Sequence, residues 1–179
     1  MSRFGKGTLT DVAFTVSTAL SLAGVQAVLS GGGAAAVYAP AACTSDDLDF
    51  ILTFSRGNKG KAALESIGFE QSTSRGIFVS GETPLTVELL PGPVAIGDEI
   101  ITEFNTMRRD DETLFVLTAA DSIRDRLAAG IYWNDLQAAR QAALVAKHAE
   151  FDLEKIRSWC EQENGLKTFE LFYKFFSSS

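Results

Sequence analysis

The stretch LSGGGAAAVYAPAACTSDDLDFIL, residues 29–52, combines three consecutive glycines with an acidic cluster whose last two members alternate with apolar residues. The segment VQAVLS, residues 25–30, is short, β-branched and apolar, which predicts a buried strand that ends at the glycines. LDFILTF, residues 48–54, predicts a second buried strand. Between them AAAVY can form a short helix that stops near Pro40. The expected order is strand, glycine turn, short helix, strand.

Outside this stretch the hydrophobic pattern alternates between helices and strands. Residues 11–23 carry apolar side chains at helical spacing, with Thr10 as the expected N-cap. Farther along, the pattern predicts a helix from Asn58 to Gly68, two short strands around Arg75 and Gly76, and a strand at 85–90. Helices and strands that alternate in this way predict an α/β (α+β) fold, a mixed sheet with flanking helices.

After residue 118 the sequence is almost continuously helix-forming. Asp121, Asn134 and Asp152 are the expected helix caps. We therefore predict an α/β domain over residues 1–118 and a helical C-terminal subdomain over residues 119–179. The phenylalanine-rich end of the chain predicts a last helix that either packs back onto the core or forms the surface of a homodimer.

Composition limits the classes of function. A chain of 179 residues makes one domain or two small ones, since domains usually have about 100–150 residues. The net charge of -7 disfavours binding to duplex DNA. The sequence has no long apolar run and no signal-peptide pattern, so we expect a cytoplasmic protein without a membrane partner. Cys43 and Cys160, with His148 alone beside them, are expected to be ordinary reduced thiols rather than zinc ligands.

The alternation DLDF places two carboxylates side by side. In an extended strand Asp47 and Asp49 share one face, whereas Leu48 and Phe50 point to the other. Two neighbouring carboxylates repel each other unless a cation neutralises them, and hard oxygen ligands suit Mg²⁺. The pair therefore indicates a metal site. The alternative is a solvated strand end whose acidic residues cap the local backbone.

The glycines suggest what such a metal would accompany. A strand that ends in Ser30, Gly31, Gly32 and Gly33 before a short helix lets backbone N–H groups approach an anion, with the helix dipole behind them. Phosphate is the anion expected there. A glycine run alone is more often a flexible turn, and the sequence has neither a Walker loop nor a dinucleotide fingerprint.

Together these motifs resemble the DNA polymerase beta-like nucleotidyltransferase superfamily. Its pattern is a glycine-rich turn after a strand, then Asp-hydrophobic-Asp-hydrophobic, then a third carboxylate on a later strand. Asp47 and Asp49 match the metal-binding pair, and Glu88 in TVELL matches the third carboxylate. Small bacterial stand-alone members are the most similar. Their shared positions correspond in this chain to Gly31, Gly32, Ala34, Tyr38, residues 45–50, Asp125, Arg126, Leu127, Trp133 and Asp135.

The resemblance implies transfer of a nucleoside monophosphate from an NTP, with ATP the expected one, to an unidentified hydroxyl acceptor. Asp47, Asp49 and Glu88 would hold one or two Mg²⁺ ions, and Glu88 would take the acceptor's proton. Ser30 and the three glycines would bind phosphate. The acceptor is open: a protein side chain, an RNA end or a small molecule.

Positive charge near the phosphates is also expected, because catalysis at phosphate needs it besides the metal. Lys59, which begins a helix just after the metal strand, is the preferred donor. The other candidates, most of them expected to be surface residues, are Arg56, Arg75, Arg108, Arg109, Arg124 and Arg126. Arg126 beside Asp125 can also be a structural ion pair. Tyr132 and Trp133 are either core residues or the walls of a base pocket.

A second hypothesis belongs to a different class. The chain departs from the family pattern because Gly32 or Gly33 stands where many active members have serine, and Ser45 stands where threonine is usual. These departures leave open a catalytically inactive regulator or toxin–antitoxin component that acts through protein contacts. A third hypothesis is a metal-dependent phosphate-binding module.

Overall fold

The computed structural model describes residue 4 and residues 7–40, 43–54 and 58–178. Within them it confirms the predicted fold class, a mixed α/β structure with flanking helices and a helical C-terminal region. The helices are α1 Leu9–Leu22, α2 Gly31–Tyr38, α3 Lys59–Ser66, α4 Ala119–Trp133, α5 Leu136–Ala146, α6 Leu153–Gln162 and α7 Leu166–Ser177. The strands are β1 Gln26–Ser30, β2 Asp47–Phe54, β3 Glu70–Gln71, β4 Ile77–Ser80, β5 Thr83–Pro91, β6 Ala95–Ile96, β7 Glu99–Ile100, β8 Asn105–Arg109 and β9 Glu112–Val116.

The acidic strand β2 lies near the middle of the large sheet. Among the described residues this sheet has seven strands in the order β3-β4-β5-β2-β1-β9-β8. Strand β2 pairs antiparallel with β1 and parallel with β5, and β1 also pairs parallel with β9. A strand with partners on both sides has its backbone groups satisfied, so its side chains are held on a rigid support.

Each face of the sheet carries its own hydrophobic core. Alternation along β1 and β2 sends Leu29 and Phe50 to one face, where they pack beneath α1 and α3. Val28 and Ile51 point to the other face and join the apolar side chains of α2, α4, α5, α6 and α7. The predicted boundary at residues 118 and 119 coincides with the start of α4, but the helices after it share this second core with the sheet.

Several helix ends differ from their predicted positions. Thr8, rather than Thr10, caps α1, because its hydroxyl and the Asp11 carboxylate bond each other's backbone N–H in a capping box. Helix α2 begins at Gly31, so the glycines form its first turn instead of a separate loop. Asn134 ends α4 in a left-handed conformation, and Asp135 caps α5. Asp152 caps α6 as predicted.

Residues 92–118 contain two hairpins that the sequence pattern does not indicate. Strands β6 and β7 form a separate two-stranded sheet, and β8 and β9 complete one side of the large sheet. The phenylalanine-rich helix α7 packs into the core: Phe172 is fully buried and Phe169 nearly so, whereas Tyr173 is about half exposed. None of the helices in the described ranges has the length and apolarity that crossing a membrane requires.

Candidate functional site

The three predicted carboxylates lie on adjacent strands and on the same face of the sheet. Asp49 of β2 and Glu88 of β5 are direct partners in the parallel ladder, and Asp47 pairs with Thr86 two positions earlier. Residues that are partners in a ladder point to the same face, and so do residues two apart in a strand. The structure therefore brings Asp47, Asp49 and Glu88 together at the beginning of β2.

The glycine at the start of α2 makes room for one of these carboxylates. Ser30, the last residue of β1, is the ladder partner of Asp49, so α2 starts directly beside it. A Cβ on Gly31 would lie only 2.6 Å from Asp49 Oδ2, and the backbone of Gly31 has φ +65°. Any side chain at this position would be strained and would occupy the space of the carboxylate. The Asp49 carboxylate can therefore lie at this place only because residue 31 has no side chain.

The other two glycines pack against the same acidic segment. A Cβ on Gly32 would lie 2.9 Å from Ser45 Oγ. The Ser45 hydroxyl in turn donates a 2.8 Å hydrogen bond to Asp47 Oδ1 and so fixes that carboxylate. A Cβ on Gly33 would lie 3.1 Å from Leu48 Cδ2 and 3.3 Å from the Asp47 carbonyl oxygen. All three glycines lie where the helix backbone approaches the segment that precedes and begins β2.

Two residues of α4 complete the site. Asp125 Oδ2 accepts hydrogen bonds from the Gly31 N–H at 3.2 Å and from Arg126 Nε and Nη2 at 3.1 and 2.8 Å. The carboxylate therefore caps α2 from a distant part of the chain, at the end of the helix where the dipole favours negative charge. The Arg126 guanidinium also lies beside Asp49. A Cβ on Gly31 would lie 3.6 Å from Arg126 Nη2 and 2.6 Å from Asp49 Oδ2.

The site has an excess of negative charge. Burial, followed by the charges of Asp47 and Glu88 and a smaller contribution from Asp125, raises the pKa of Asp49 from its ordinary value of 3.8 to about 6. The nearby Arg126 opposes the increase in this pKa without cancelling it. The site thus combines four acidic side chains with one guanidinium, and an added cation would be attracted to it.

These residues fit Mg²⁺ in their donor chemistry, since the available ligands are hard carboxylate oxygens on a rigid strand pair. In the part of the chain that the structure describes, however, no three His, Cys, Asp or Glu side chains already stand close enough to hold a metal ion. The carboxylates would have to turn toward a shared ion. Such a rotation would exchange their mutual repulsion for attraction to the cation.

Lys59 does not join the carboxylates. It lies in the first turn of α3, where its Nζ is 4.0 Å from the position of a Cβ on Gly24. Gly24 precedes β1, whereas Ser30 ends it, and five residues of strand span about 16 Å. The structure therefore places Lys59 away from the carboxylates, with α3 packed on the opposite face of the sheet, and phosphate binding by Lys59 stays a prediction that this arrangement does not support.

The other cations are mostly used elsewhere. Arg109 pairs with Asp11 and Glu112, and Arg124 pairs with Asp121 and Glu99. Arg75 lines a cavity of about 650 Å³ that lies beside α3 and that Glu88 also lines, and Arg108 is exposed on β8. Arg56 lies outside the described residues. Among the predicted donors in the described residues, Arg126 is the one beside Asp49 and Asp125, whereas Arg75 shares only the cavity next to Glu88.

Tyr132 and Trp133 are not core residues. Their side chains are 49% and 79% exposed. They line a cavity of about 310 Å³ that also reaches Asp125 and Arg126, between α4 and the β6–β7 hairpin. Cys43 and Cys160 are free, buried thiols as predicted, and burial raises the pKa of both, that of Cys160 to about 12. His148 is exposed just after α5.

The sequence prediction misses two features of the site. It includes Asp125 and Arg126 only as part of the family pattern and as an ion pair, because their contact with Gly31 depends on how α4 packs against α2. The hairpin that closes the cavity has strands of two residues each, too short to give a periodic signal. A comparison of the chain with protein-family models gave no match, and a search of curated proteins gave none either.

Proposed function

We propose that this protein transfers a nucleoside monophosphate from a magnesium-bound NTP to a hydroxyl acceptor. The observation that carries the proposal is the ladder pairing of Asp49 with Glu88 on the same face as Asp47, next to the N-terminus of α2. A set of carboxylates beside a helix N-terminus offers ligands for a divalent cation and a favourable place for phosphate. The sequence resemblance to nucleotidyltransferases supports the same reading.

The position of each residue supports a role for it in this proposal. Asp47 and Asp49 would be the ligands of Mg²⁺, with Glu88 completing the ligand set. The ion would supply positive charge to the phosphates during the reaction. Arg126 lies beside Asp49 and would donate hydrogen bonds to the phosphates once these compete with Asp125. The first N–H groups of α2 would add backbone donors.

The proposed transfer is an in-line displacement at the α-phosphorus. The acceptor oxygen forms a bond to this phosphorus, and the bond to the oxygen that bridges toward the β-phosphorus breaks. Pyrophosphate leaves with the electron pair of that bond. The proton of the acceptor hydroxyl passes to the Glu88 carboxylate, which shares its sheet face with the two aspartates.

Calorimetric titration tests the nucleotide site. We would titrate a nonhydrolysable ATP analogue with magnesium into the wild type and into Asp47→Asn, Asp49→Asn and Asp46→Asn. The first two variants should bind the analogue at least about tenfold more weakly, because each loses a charged ligand. Asp46→Asn removes an equal charge from an exposed neighbour and should bind normally. Equal affinity in all four proteins would contradict the proposal.

Transfer itself is tested with ATP labelled on its α-phosphate. We would incubate the protein with a cell extract and follow both released pyrophosphate and the label in protein, RNA and small-molecule fractions. The wild type should label one fraction, which identifies the acceptor class, and Glu88→Gln should label none. Nucleotide binding that produces neither pyrophosphate nor label would exclude the transfer step.

A regulator that retains the fold without catalysis is the second candidate. Two observations favour it: Asp125 already occupies the Gly31 N–H and Arg126, and in the described part of the chain no three acidic side chains are gathered for a metal. A toxin–antitoxin component acting through protein contacts would belong to this class. The titration above separates the two candidates, because a regulator of this kind needs no Asp49-dependent nucleotide binding.

A further inference from the structure

A cleft that carries two aromatic side chains on its α4 wall begins at the carboxylates and extends along this helix. We call it the aromatic cleft, the cavity of about 310 Å³ whose lining includes Gly97, Asp98, Asp125, Arg126, Tyr132 and Trp133. One wall is α4 and the other is the β6–β7 hairpin. Its residues have a clear order: the charged pair lies beside the site, and the aromatic rings lie farther along the helix.

The spacing along α4 matches the dimensions of a nucleotide. Arg126 and Trp133 are seven residues apart, so they lie on one face of the helix and are separated by about 10 Å. Arg126 is beside Asp49 and the start of α2, where the phosphates are proposed to bind. A nucleotide with its phosphates at Arg126 and its sugar along the helix would bring its base to Trp133.

The aromatic end of the cleft is held in place by Glu163. The Tyr132 hydroxyl donates a hydrogen bond to the Glu163 carboxylate, and this bond raises the pKa of Tyr132 to about 12. A Cβ on Gly97 would lie 2.6 Å from Glu163 Oε1, so the hairpin packs closely on the same carboxylate. Glu163 therefore joins both walls. The Trp133 ring, at 79% exposure, has its surface available for stacking.

The hairpin also provides a polar group. Asp98 lines the cleft, and its charge acts on Tyr132, which places the carboxylate near the aromatic end. An ionised carboxylate only accepts hydrogen bonds. It would therefore pair with the exocyclic amino group of cytosine or adenine, whereas the carbonyl oxygen that uracil has at the same position is another acceptor.

We propose that the aromatic cleft binds the nucleotide base by stacking on Trp133 and that Asp98 selects bases with an exocyclic amino group. This inference rests on the proposed nucleotidyl transfer, and it adds the part of the site that recognises the base. Stacking of a base on an aromatic ring favours binding of every base. Asp98 then adds affinity only for bases that have an exocyclic amino group.

The experiment compares CTP with UTP, because the two bases are alike in size and differ at the amino position. Tripolyphosphate, which has no base, is the reference ligand, and all titrations contain magnesium. We would measure affinities by calorimetry for the wild type, Trp133→Leu, Asp98→Asn and Asp49→Asn. Leu22→Ala is the control for loss of an exposed apolar side chain, since Leu22 is 85% exposed at the end of α1.

The wild type should bind CTP more tightly than tripolyphosphate and about tenfold more tightly than UTP. Trp133→Leu should bind both nucleotides at least about fivefold more weakly and tripolyphosphate equally well. Asp98→Asn should lose the preference for CTP, because an amide both donates and accepts. Leu22→Ala should behave as the wild type. Tryptophan fluorescence gives a second readout, since ligand quenching should disappear in Trp133→Leu while the buried Trp159 remains.

Two different failures are distinguishable. If tripolyphosphate binds in an Asp49-dependent way but CTP binds no better, or if Asp98→Asn keeps the preference for CTP, the base site in the aromatic cleft is wrong and the phosphate site stands. If CTP binding depends on Trp133 but is unchanged in Asp49→Asn, the cleft binds a base and the proposed transferase is wrong. Absence of any nucleotide binding contradicts both proposals.

Discussion

At the level of single residues, the site depends on the Asp49 carboxylate, which lies where a side chain at position 31 would otherwise be. Asp49 Oδ2 occupies the space beside Gly31, while Asp47 and Glu88 surround it with like charge. Its burial and its neighbours both disfavour the ionised form. The protein therefore keeps a carboxylate in a place where its charge costs stability, which is a common property of residues used in binding or catalysis.

Asp49→Asn should stabilise the protein in a pH-dependent way. The folded pKa of about 6 exceeds the ordinary value of 3.8, so between these values the folded state binds more protons and the free energy of unfolding falls as pH rises. The asparagine side chain of the variant does not titrate, so its free energy of unfolding does not fall with pH for this reason. It should match the wild type near pH 4 and be about 2 kcal/mol more stable at pH 7. Urea unfolding at both pH values measures the difference, and Asp46→Asn is the control with an equal change in charge. A constant difference at the two pH values would contradict titration of Asp49 as the cause.

Gly31→Ala should disturb the Asp49 carboxylate as well as the backbone. The variant forces a residue with a Cβ to adopt φ +65° and directs that Cβ at Asp49 Oδ2. Gly7→Ala is a matched control, because Gly7 has φ +75° and nothing within 4 Å of its Cβ position. Both variants should lose about 1–2 kcal/mol from backbone strain. Only Gly31→Ala should also change the titration of Asp49, followed by carbon NMR of the carboxylate. The same Asp49 titration in both variants would mean that the contact is unimportant.

At the level of helices and strands, Tyr38 connects the C-terminal end of α2 to the β8–β9 edge of the large sheet. At the end of α2 its hydroxyl donates a 2.7 Å hydrogen bond to the Leu117 carbonyl, just after β9, and accepts a 2.8 Å bond from Asn105 Nδ2 on β8. Helix α2 is thus fixed at both ends, by Asp125 at Gly31 and by Tyr38 at β9.

Tyr38→Phe should destabilise the fold without affecting the proposed chemistry. Removal of the hydroxyl leaves the Leu117 carbonyl without this donor and should cost about 1–2 kcal/mol in the free energy of unfolding. Asn105→Ala removes one bond at an exposed position and should cost less than about 1 kcal/mol. Chemical denaturation gives both values. Nucleotide affinity should be unchanged in both variants, and a large loss in Tyr38→Phe would show that α2 moves when this anchor is removed.

These elements show which parts of the structure a sequence pattern can predict. The alternation in DLDF and the apolar runs around it are sufficient for β1, β2 and the shared face of Asp47 and Asp49, because side-chain period is a local property. The position of Lys59 is not predictable in this way, since it depends on the face of the sheet that receives α3. The capping of Gly31 by Asp125 joins residues 94 positions apart and arises only from tertiary packing.

At the level of the complete chain, the sheet and the C-terminal helices are held together by one core. Val28 of β1 and Phe172 of α7 belong to the same buried cluster, which α4 and α5 connect. Phe172 also contacts the rings of Phe151, Phe169 and Phe176. Because the last helix closes a core that begins on the central strands, the two predicted domains should not unfold separately.

Phe172→Ala should therefore destabilise the whole protein in one transition. The loss of a fully buried ring should cost about 3–5 kcal/mol in the free energy of unfolding. Circular dichroism and Trp159 fluorescence should report the same midpoint, since Trp159 lies in the shared core. Tyr173→Ala, at the neighbouring and 47% exposed position, should cost about 1 kcal/mol or less. Separate midpoints for the two probes would mean that the helical part unfolds independently.

The three glycines of α2 also have a consequence for how this chain tolerates mutation. Each would direct a new Cβ at a different part of the acidic segment: the Asp49 carboxylate, the Ser45 hydroxyl, and the Leu48 side chain with the Asp47 carbonyl. Since every replacement of glycine adds at least a Cβ, no substitution avoids these contacts. In a library of all single substitutions selected for folded protein, positions 31–33 should form a depleted block, whereas the exposed Asp46 nearby should accept many residues. The glycines are thus required because the helix backbone approaches the acidic strand closely.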